Sequence, residues 1–334
     1  MVAQIDVDYL KARPARLWSW LLSDGLFEGR PFTTRGQFVN PLLFRRFALQ
    51  KRPPQMRKVK ALIFILSTGR SGTTIIGIVL SRHRDVGYLN EPEAIWSTLR
   101  DDEDLIGSYH RGPARYRVAE EDASLSLIND AHRGYGAYLR LTLTQRVVNK
   151  HPALTFHVPF VRQIFPDAKF LFLSRDGRDT CASIEHWSAR RGSNVGAETH
   201  DWWGVNRRKC MLLEDQIIPE DPHPAPHAES LSELTDNRAM AGTEWIVTMR
   251  EGLRLVDSHR KDVVHGSHAD LCAHPEEACA RISEFAQLPP VPVSLDYAKS
   301  TLSPLKPKTD FPLPKELEAL FGSTSAALAG SRRS

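Results

Sequence analysis

The chain of 334 residues has four cysteines, Cys181, Cys210, Cys272 and Cys279, and none of their spacings is C-x-x-C or that of a zinc finger. A disulfide framework and a structural zinc site are therefore not expected, and the thiols read as reduced. No apolar stretch approaches the ~20 residues that a membrane span needs. The N-terminus lacks an apolar core followed by a small-residue cleavage site, so no signal peptide is read and a cytoplasmic chain is expected. Internal repeats are missing. So is a metal cluster: His223 and His227 have no third ligand nearby, whereas zinc takes three or four.

Charge is short of one sign only locally. Residues 1–60 hold 12 Lys/Arg against 4 Asp/Glu, and the remainder 32 against 36, which together give the net +4. A basic surplus confined to one end weakens any case for nucleic-acid binding by the whole chain. With 41% hydrophobic and 25% charged residues, the composition is that of a globular protein. The length suits one large α/β domain or two smaller ones.

What is present is organised around residues 61–83. Ala61 to Leu66 is an unbroken apolar run, the pattern of a strand buried on both faces of a parallel sheet. A turn rich in glycine and hydroxyls follows, Ser67-Thr68-Gly69-Arg70-Ser71-Gly72-Thr73-Thr74, and then a helical run with Ile76, Val79 and Leu80. The two glycines let the backbone curl with N–H groups inward, and the helix adds the positive end of its dipole. Such a turn holds an anion, most often phosphate. It is not the loop of a nucleoside triphosphatase, because Thr73 follows Gly72 where a lysine would stand, and no G-x-G-x-x-G occurs.

Further strands are expected at Asp85–Leu89, Arg146–Lys150, Lys169–Ser174 and Val263–Val264. Helices are expected at Phe160–Phe165, after Arg175, around Trp245, Met249, Leu253 and Val256, and from Pro275. Strands alternating with helices predict an α/β fold, a P-loop-like three-layer α/β/α arrangement with a central parallel sheet in one domain. Residues 61–320 form that domain in this reading. Residues 1–60 are a basic extension whose helices pack on its outside, an interfacial membrane anchor being the alternative. Residues 101–134 read as loop with a short helix. Residues 188–240 read as a variable, acceptor-side insertion with an irregular stretch at Pro219, Pro222, Pro224 and Pro226. The tail 321–334 is expected to be disordered.

A second strand–helix turn, Arg175-Asp176-Gly177-Arg178-Asp179, lies about a hundred residues after the first. Arg175 stands at the strand end and Ser183 eight residues on, and both can reach one oxyanion above the carboxyl edge of the sheet. Two such turns suit a ligand with two separate phosphate groups.

On these residues the chain resembles sulfotransferases that use 3′-phosphoadenosine 5′-phosphosulfate (PAPS). STGRSGTT (67–74) resembles their 5′-phosphosulfate loop, FLFLSRDGRDTCAS (170–183) their 3′-phosphate segment, and NKHP (149–152) a segment of the tyrosylprotein and bacterial members. Residues 267–288 resemble the strand end and helix of a Tyr-Glu-Asp-Leu motif, although His268 and Ala269 replace the Tyr-Glu. The resemblance implies PAPS as donor, the 3′,5′-bisphosphate PAP as product, and no metal. It implies cofactor binding by Thr68, Gly69, Arg70, Ser71, Gly72, Thr73, Thr74, Arg175 and Ser183, and by Ser300 and Lys306 near the C-terminus. Lys150, matching the family's Asn-Lys-x-Pro, would stabilise the leaving phosphate together with Arg70. Glu91 would be the general base, with Glu93 and His151 in reserve. The expected acceptor is a hydroxyl of a small molecule such as a sugar or phenol, on which Trp202 and Trp203 could stack, a buried Trp pair being the equal alternative. A P-loop kinase and a nucleotide-binding protein without chemistry are the competing readings. The kinase needs a loop lysine and a magnesium aspartate that the sequence does not show.

Overall fold

The computed structural model describes residues 14–50, 58–289, 291–302 and 310–331. Its central sheet contains β1 (Ile63–Leu66), β2 (Val86–Asn90), β3 (Arg146–Lys150) and β4 (Lys169–Ser174). Three short strands, β5 (Ser193–Val195), β6 (Glu198–Asp201) and β7 (Gly204–Val205), form a separate antiparallel sheet. β8 (Val263–Ser267) completes the central one. The central order is β2-β3-β1-β4-β8, with every neighbouring pair parallel.

Both faces of β1 are covered, which is why its sequence is apolar without alternation. Phe64 and Leu66 join a core with Trp96, Tyr135, Phe160, Phe170 and Trp245. Ile63 and Ile65 join the opposite one, with Ile76, Val79, Leu171, Leu271 and Ile282. Helices therefore lie on both sides of the sheet, giving the three-layer α/β architecture. The helix after β1 (Thr73–Ser81) buries Ile76 and Leu80 in the second core. The helix after β4 (Gly177–Arg191) buries Cys181 and Ile184 in the first. Adjacent strands whose following helices leave to opposite faces open a crevice at their carboxyl ends, where α/β sheets bind ligands.

Four expectations change. The tail from Gly322 is not disordered through Ser331: it is the second half of a helix, Lys315–Ser331, with Leu317, Phe321, Thr324 and Leu328 buried. Phe321 stacks on Trp245 of the long helix Asn237–Ser258 with ring centroids 4.4 Å apart. Its Ser/Ala/Gly composition hid an apolar stripe at helical spacing. The helix expected within 101–134 is long, Leu125–Thr142, because Ala131, Tyr135 and Tyr138 pack inward in spite of Gly134 and Gly136. The segment 188–240 is less irregular than expected, holding β5 to β7 and the helices Arg208–Gln216 and Ala228–Ser232.

The N-terminal extension is also more than an outer layer. Phe27, Leu43 and Phe47 are buried in the first core, while Trp18, Phe38, Leu42 and Leu49 are exposed. No helix among the described residues is long and apolar enough to cross a membrane.

Candidate active site

The carboxyl ends of all five central strands bring polar or charged residues to one edge. At β1, the backbone turns left-handed at Arg70 (φ 69°) and again at Gly72 (φ 85°), which caps the helix starting at Thr73. Alternation of this kind turns successive N–H groups inward, and the first N–H groups of the helix face the same way. Thr68 Oγ1 and Ser71 Oγ are buried without a protein hydrogen-bond partner. Buried hydroxyls left unpaired are costly, so two of them in an inward-curled loop are donors suited to an anion.

Across the β1–β4 crevice, Arg70 is the point of convergence. Its Nε donates to Ser183 Oγ at 3.1 Å, and an Arg175 terminal nitrogen donates to the Arg70 carbonyl at 2.7 Å. Arg175 Nε is buried without a partner. Burial pushes the Arg70 guanidinium down from its usual range, Glu91 opposes this, and Arg175 adds to it by repulsion. Two guanidiniums that repel one another across a half-buried crevice favour an anion there. The residues present thus fit a ligand with two phosphate groups.

At β2 and β3, Asn90 and Lys150 are register partners. Lys150 Nζ pairs with Glu91 Oε1, so the partner of Glu91 is Lys150. Lys150 is 5% exposed and Glu91 28%. Burial pushes the Glu91 carboxyl up, but the Lys150 ammonium overrides it and holds the group well below the usual carboxylate range.

The reserve bases are placed differently. Glu93 Oε2 is buried without a hydrogen-bond partner, and burial, with Glu91, Asp104 and Glu103 around it, pushes that carboxyl well up. His151 Nε2 faces Glu103 Oε1 at 2.9 Å, with both side chains buried. Of the two glutamates, Glu91 is the one held ionised at neutral pH.

Residues 62–220 match the model of the sulfotransferase family. That match takes in just under half of the chain. A protein-tyrosine sulfotransferase of Drosophila melanogaster is 32% identical over 237 residues, which is 68% of this chain and 38% of that protein. Protein-tyrosine sulfotransferase A of Caenorhabditis elegans is 23% identical over 232 residues, 68% of this chain and 50% of that protein. The chain thus spans half or less of the length of these two curated relatives. A sulfotransferase structure from Mycobacterium avium is similar at 16% identity and a TM-score of 0.46, covering 98% of this chain and 91% of that one.

Within this candidate site, two residues that the motifs left at the margin touch the loop. His268, at the end of β8, lies against Gly72, where a Cβ would meet its ring. Burial and the neighbouring Arg175 push its imidazole down to about 4, so it is neutral at pH 7. Trp202 covers Gly69, where any side chain would collide with the indole. Its Nε1 donates to Glu244 Oε2 at 2.7 Å, Lys209 lies 4.6 Å over its ring, and Trp187 meets it edge-on at 5.4 Å. Trp203 is buried in the first core instead, donating through Nε1 to Asn237.

Ser300 is exposed on the last turn of the helix Pro292–Thr301, its hydroxyl donating to the Tyr297 carbonyl. No hydrogen bond joins it to the loop. Lys306 lies outside the described residues. A cavity of about 1070 Å³ opens elsewhere, beside Arg117, Phe156, Asp221, Arg250, Glu251 and Arg254. Arg117 pairs there with Glu251 at 2.9 Å and Arg250 with Asp221 at 2.7 Å.

Proposed function

We propose that the chain transfers a sulfuryl group from PAPS to an acceptor hydroxyl. One observation carries this reading: partnerless buried hydroxyls and two converging arginines share a sheet edge with a lysine–glutamate pair. When bound, the donor would supply the sulfuryl group and a phosphate that leaves. Thr68, Ser71, the N–H groups of residues 69–74 and Arg70 would hold the phosphosulfate end. Arg175 and Ser183 would hold the 3′-phosphate.

Transfer of this kind passes through a loose transition state by analogy with phosphoryl transfer, so positioning and charge stabilisation do most of the catalysis. Lys150 is the cation for charge building on the departing oxygen. As its ammonium turns toward that charge it leaves Glu91, whose carboxylate regains basicity and takes the acceptor's proton. A positioned base contributes about 10² to 10⁴ in rate. In this reading the resting ion pair keeps Glu91 ionised and aimed until the donor competes for Lys150.

The acceptor is a hydroxyl of a small molecule, sugar or phenol. A second reading, a tyrosine of a protein, is supported by the relatives being protein-tyrosine sulfotransferases. The test is incubation with radiolabelled PAPS and a panel of sugars, phenols and a tyrosine-containing peptide, without magnesium, and in parallel with a nucleoside triphosphate and magnesium in place of PAPS, followed by mass identification of product. A sulfated product supports the reading and names the acceptor class. Turnover that needs magnesium and a nucleoside triphosphate makes the chain a kinase. Tight PAP binding with no turnover makes it a binding protein.

A further inference from the structure

The N-terminal extension reaches the candidate site through the free edge of the sheet. β2 has a single neighbour, β3, so alternate N–H and C=O groups on its outer side need other partners. The Tyr138 hydroxyl donates to the Tyr88 carbonyl at 3.0 Å. Two residues on, and so on the same side of the strand, the Asn90 N–H donates to Glu28 Oε1 at 2.8 Å.

Glu28 ends a short turn, Asp24–Glu28, and is 8% exposed. The turn is anchored on both sides. Phe27 is fully buried and meets the Tyr138 ring edge-on at 5.1 Å, and Ser23 Oγ shares a hydrogen bond with the Tyr138 hydroxyl at 2.9 Å. Arg30 clamps Asp24 at 2.6 Å. Burial pushes the Glu28 carboxyl up to about 8, with Asp24 and Glu91 adding to the rise and the Asn90 amide and Arg30 opposing it. At neutral pH it is mostly a neutral acid whose carbonyl oxygen still accepts from the amide.

The residue after Asn90 is Glu91, held at φ 53°. A left-handed backbone is unusual for a residue with a side chain and persists where neighbours over-determine it. Here the Glu91 N–H donates to the Lys150 carbonyl at 2.7 Å and the Glu93 N–H to the Glu91 carbonyl at 2.8 Å. Those two bonds come from the site's own strands and turn. The third, at Asn90, comes from the extension.

We propose that Glu28 is a positioning residue for Glu91: by holding the Asn90 amide it fixes the strained backbone that aims the Glu91 carboxylate at Lys150. This role rests on Glu91 being the base. It makes the extension part of the site rather than a wrapping around it.

The test compares Glu28→Leu and Glu28→Gln in the full chain. The glutamine keeps a carbonyl acceptor of the same reach; the leucine keeps only bulk. Three readouts are taken: PAP affinity by calorimetry, kcat and KM with radiolabelled PAPS and the acceptor panel above, and hydrogen exchange of the Asn90 amide. Glu28→Leu is expected to lose roughly 10- to 100-fold in kcat, the scale of a misplaced catalytic group. Its PAP affinity stays within about threefold, and its Asn90 amide exchanges faster. Glu28→Gln restores most of the rate. Equal kcat in the leucine variant and wild type overturns the role, as does unchanged exchange at Asn90. A kcat loss that Glu28→Gln does not restore overturns it too. Wild type that transfers to no acceptor instead overturns the enzymatic reading, and this role with it, while the exchange result still reports on the contact itself.

Discussion

Lys150 and Glu91 form an ion pair across the ends of two neighbouring strands, and that pair sets what each can do alone. Lys150 is buried enough that removing it leaves Glu91 without its counter-charge, and breaking such a pair costs more than an exposed one.

Lys150→Ala is expected to lower kcat by at least about 10²-fold, since in the proposed mechanism it removes the cation from the leaving group. PAP affinity should fall only several-fold, because the loop and both arginines remain. Steady-state kinetics beside calorimetry with PAP separates the two effects. Equal losses in turnover and affinity would make Lys150 a binding residue.

Glu91→Gln keeps the shape of the pair and removes its basicity. Transfer to an alcohol should drop by about 10² or more, while PAP binding holds. Because Glu93 is pushed up and His151 is committed to Glu103, neither should rescue the variant. Full activity in Glu91→Gln would move the base elsewhere.

Arg175→Ala is expected to weaken PAP roughly ten- to a hundredfold, the scale of one charge-assisted hydrogen bond. The 3′-hydroxyl analogue should be weakened far less. Some loss is expected for both, because Arg175 also donates to the Arg70 carbonyl and steadies the loop. Competitive titration of the two nucleotides reads the difference, and equal weakening would take Arg175 out of the 3′-phosphate site.

Much of this geometry was legible in the sequence because it sits on motifs. The β1 loop is written in Gly69, Gly72 and their hydroxyl neighbours, and Arg175, Ser183 and Lys150 are placed by the strands they follow or end. Glu28 carried no signal: an isolated acid in a basic segment becomes meaningful only when Phe27 and Ser23 dock it against the edge of β2. From sequence Trp202 is either an acceptor platform or half of a buried pair, and its contact with Gly69 arises from the β6–β7 hairpin, whose strands are too short to show a period. The helices Leu125–Thr142 and Lys315–Ser331 are hard to read in full for one physical reason. Gly134 and Gly136 interrupt the first and the run Gly322 to Ser325 the second, and buried Tyr135, Tyr138, Phe321 and Leu328 supply by packing what propensity lacks there.

Glu28 also gives a pH signature of stability that is independent of any acceptor. Its folded value of about 8 lies above its ordinary 4.5. Between those limits the folded protein binds a proton at this position that the unfolded chain has released, so stability falls as pH rises from about 4.5 to about 8. Below 4.5 both states are protonated and the penalty vanishes. Glu28→Gln carries no titrating group, so it should match wild type near pH 4.5 and melt at a higher temperature near pH 8, with the gap opening steadily between. Thermal melts of the two proteins at pH 5, 6, 7 and 8 measure it. A gap that is constant across the series, or that closes with rising pH, would mean that the Glu28 carboxyl is ionised in the folded protein at neutral pH and meets the Asn90 amide as a carboxylate.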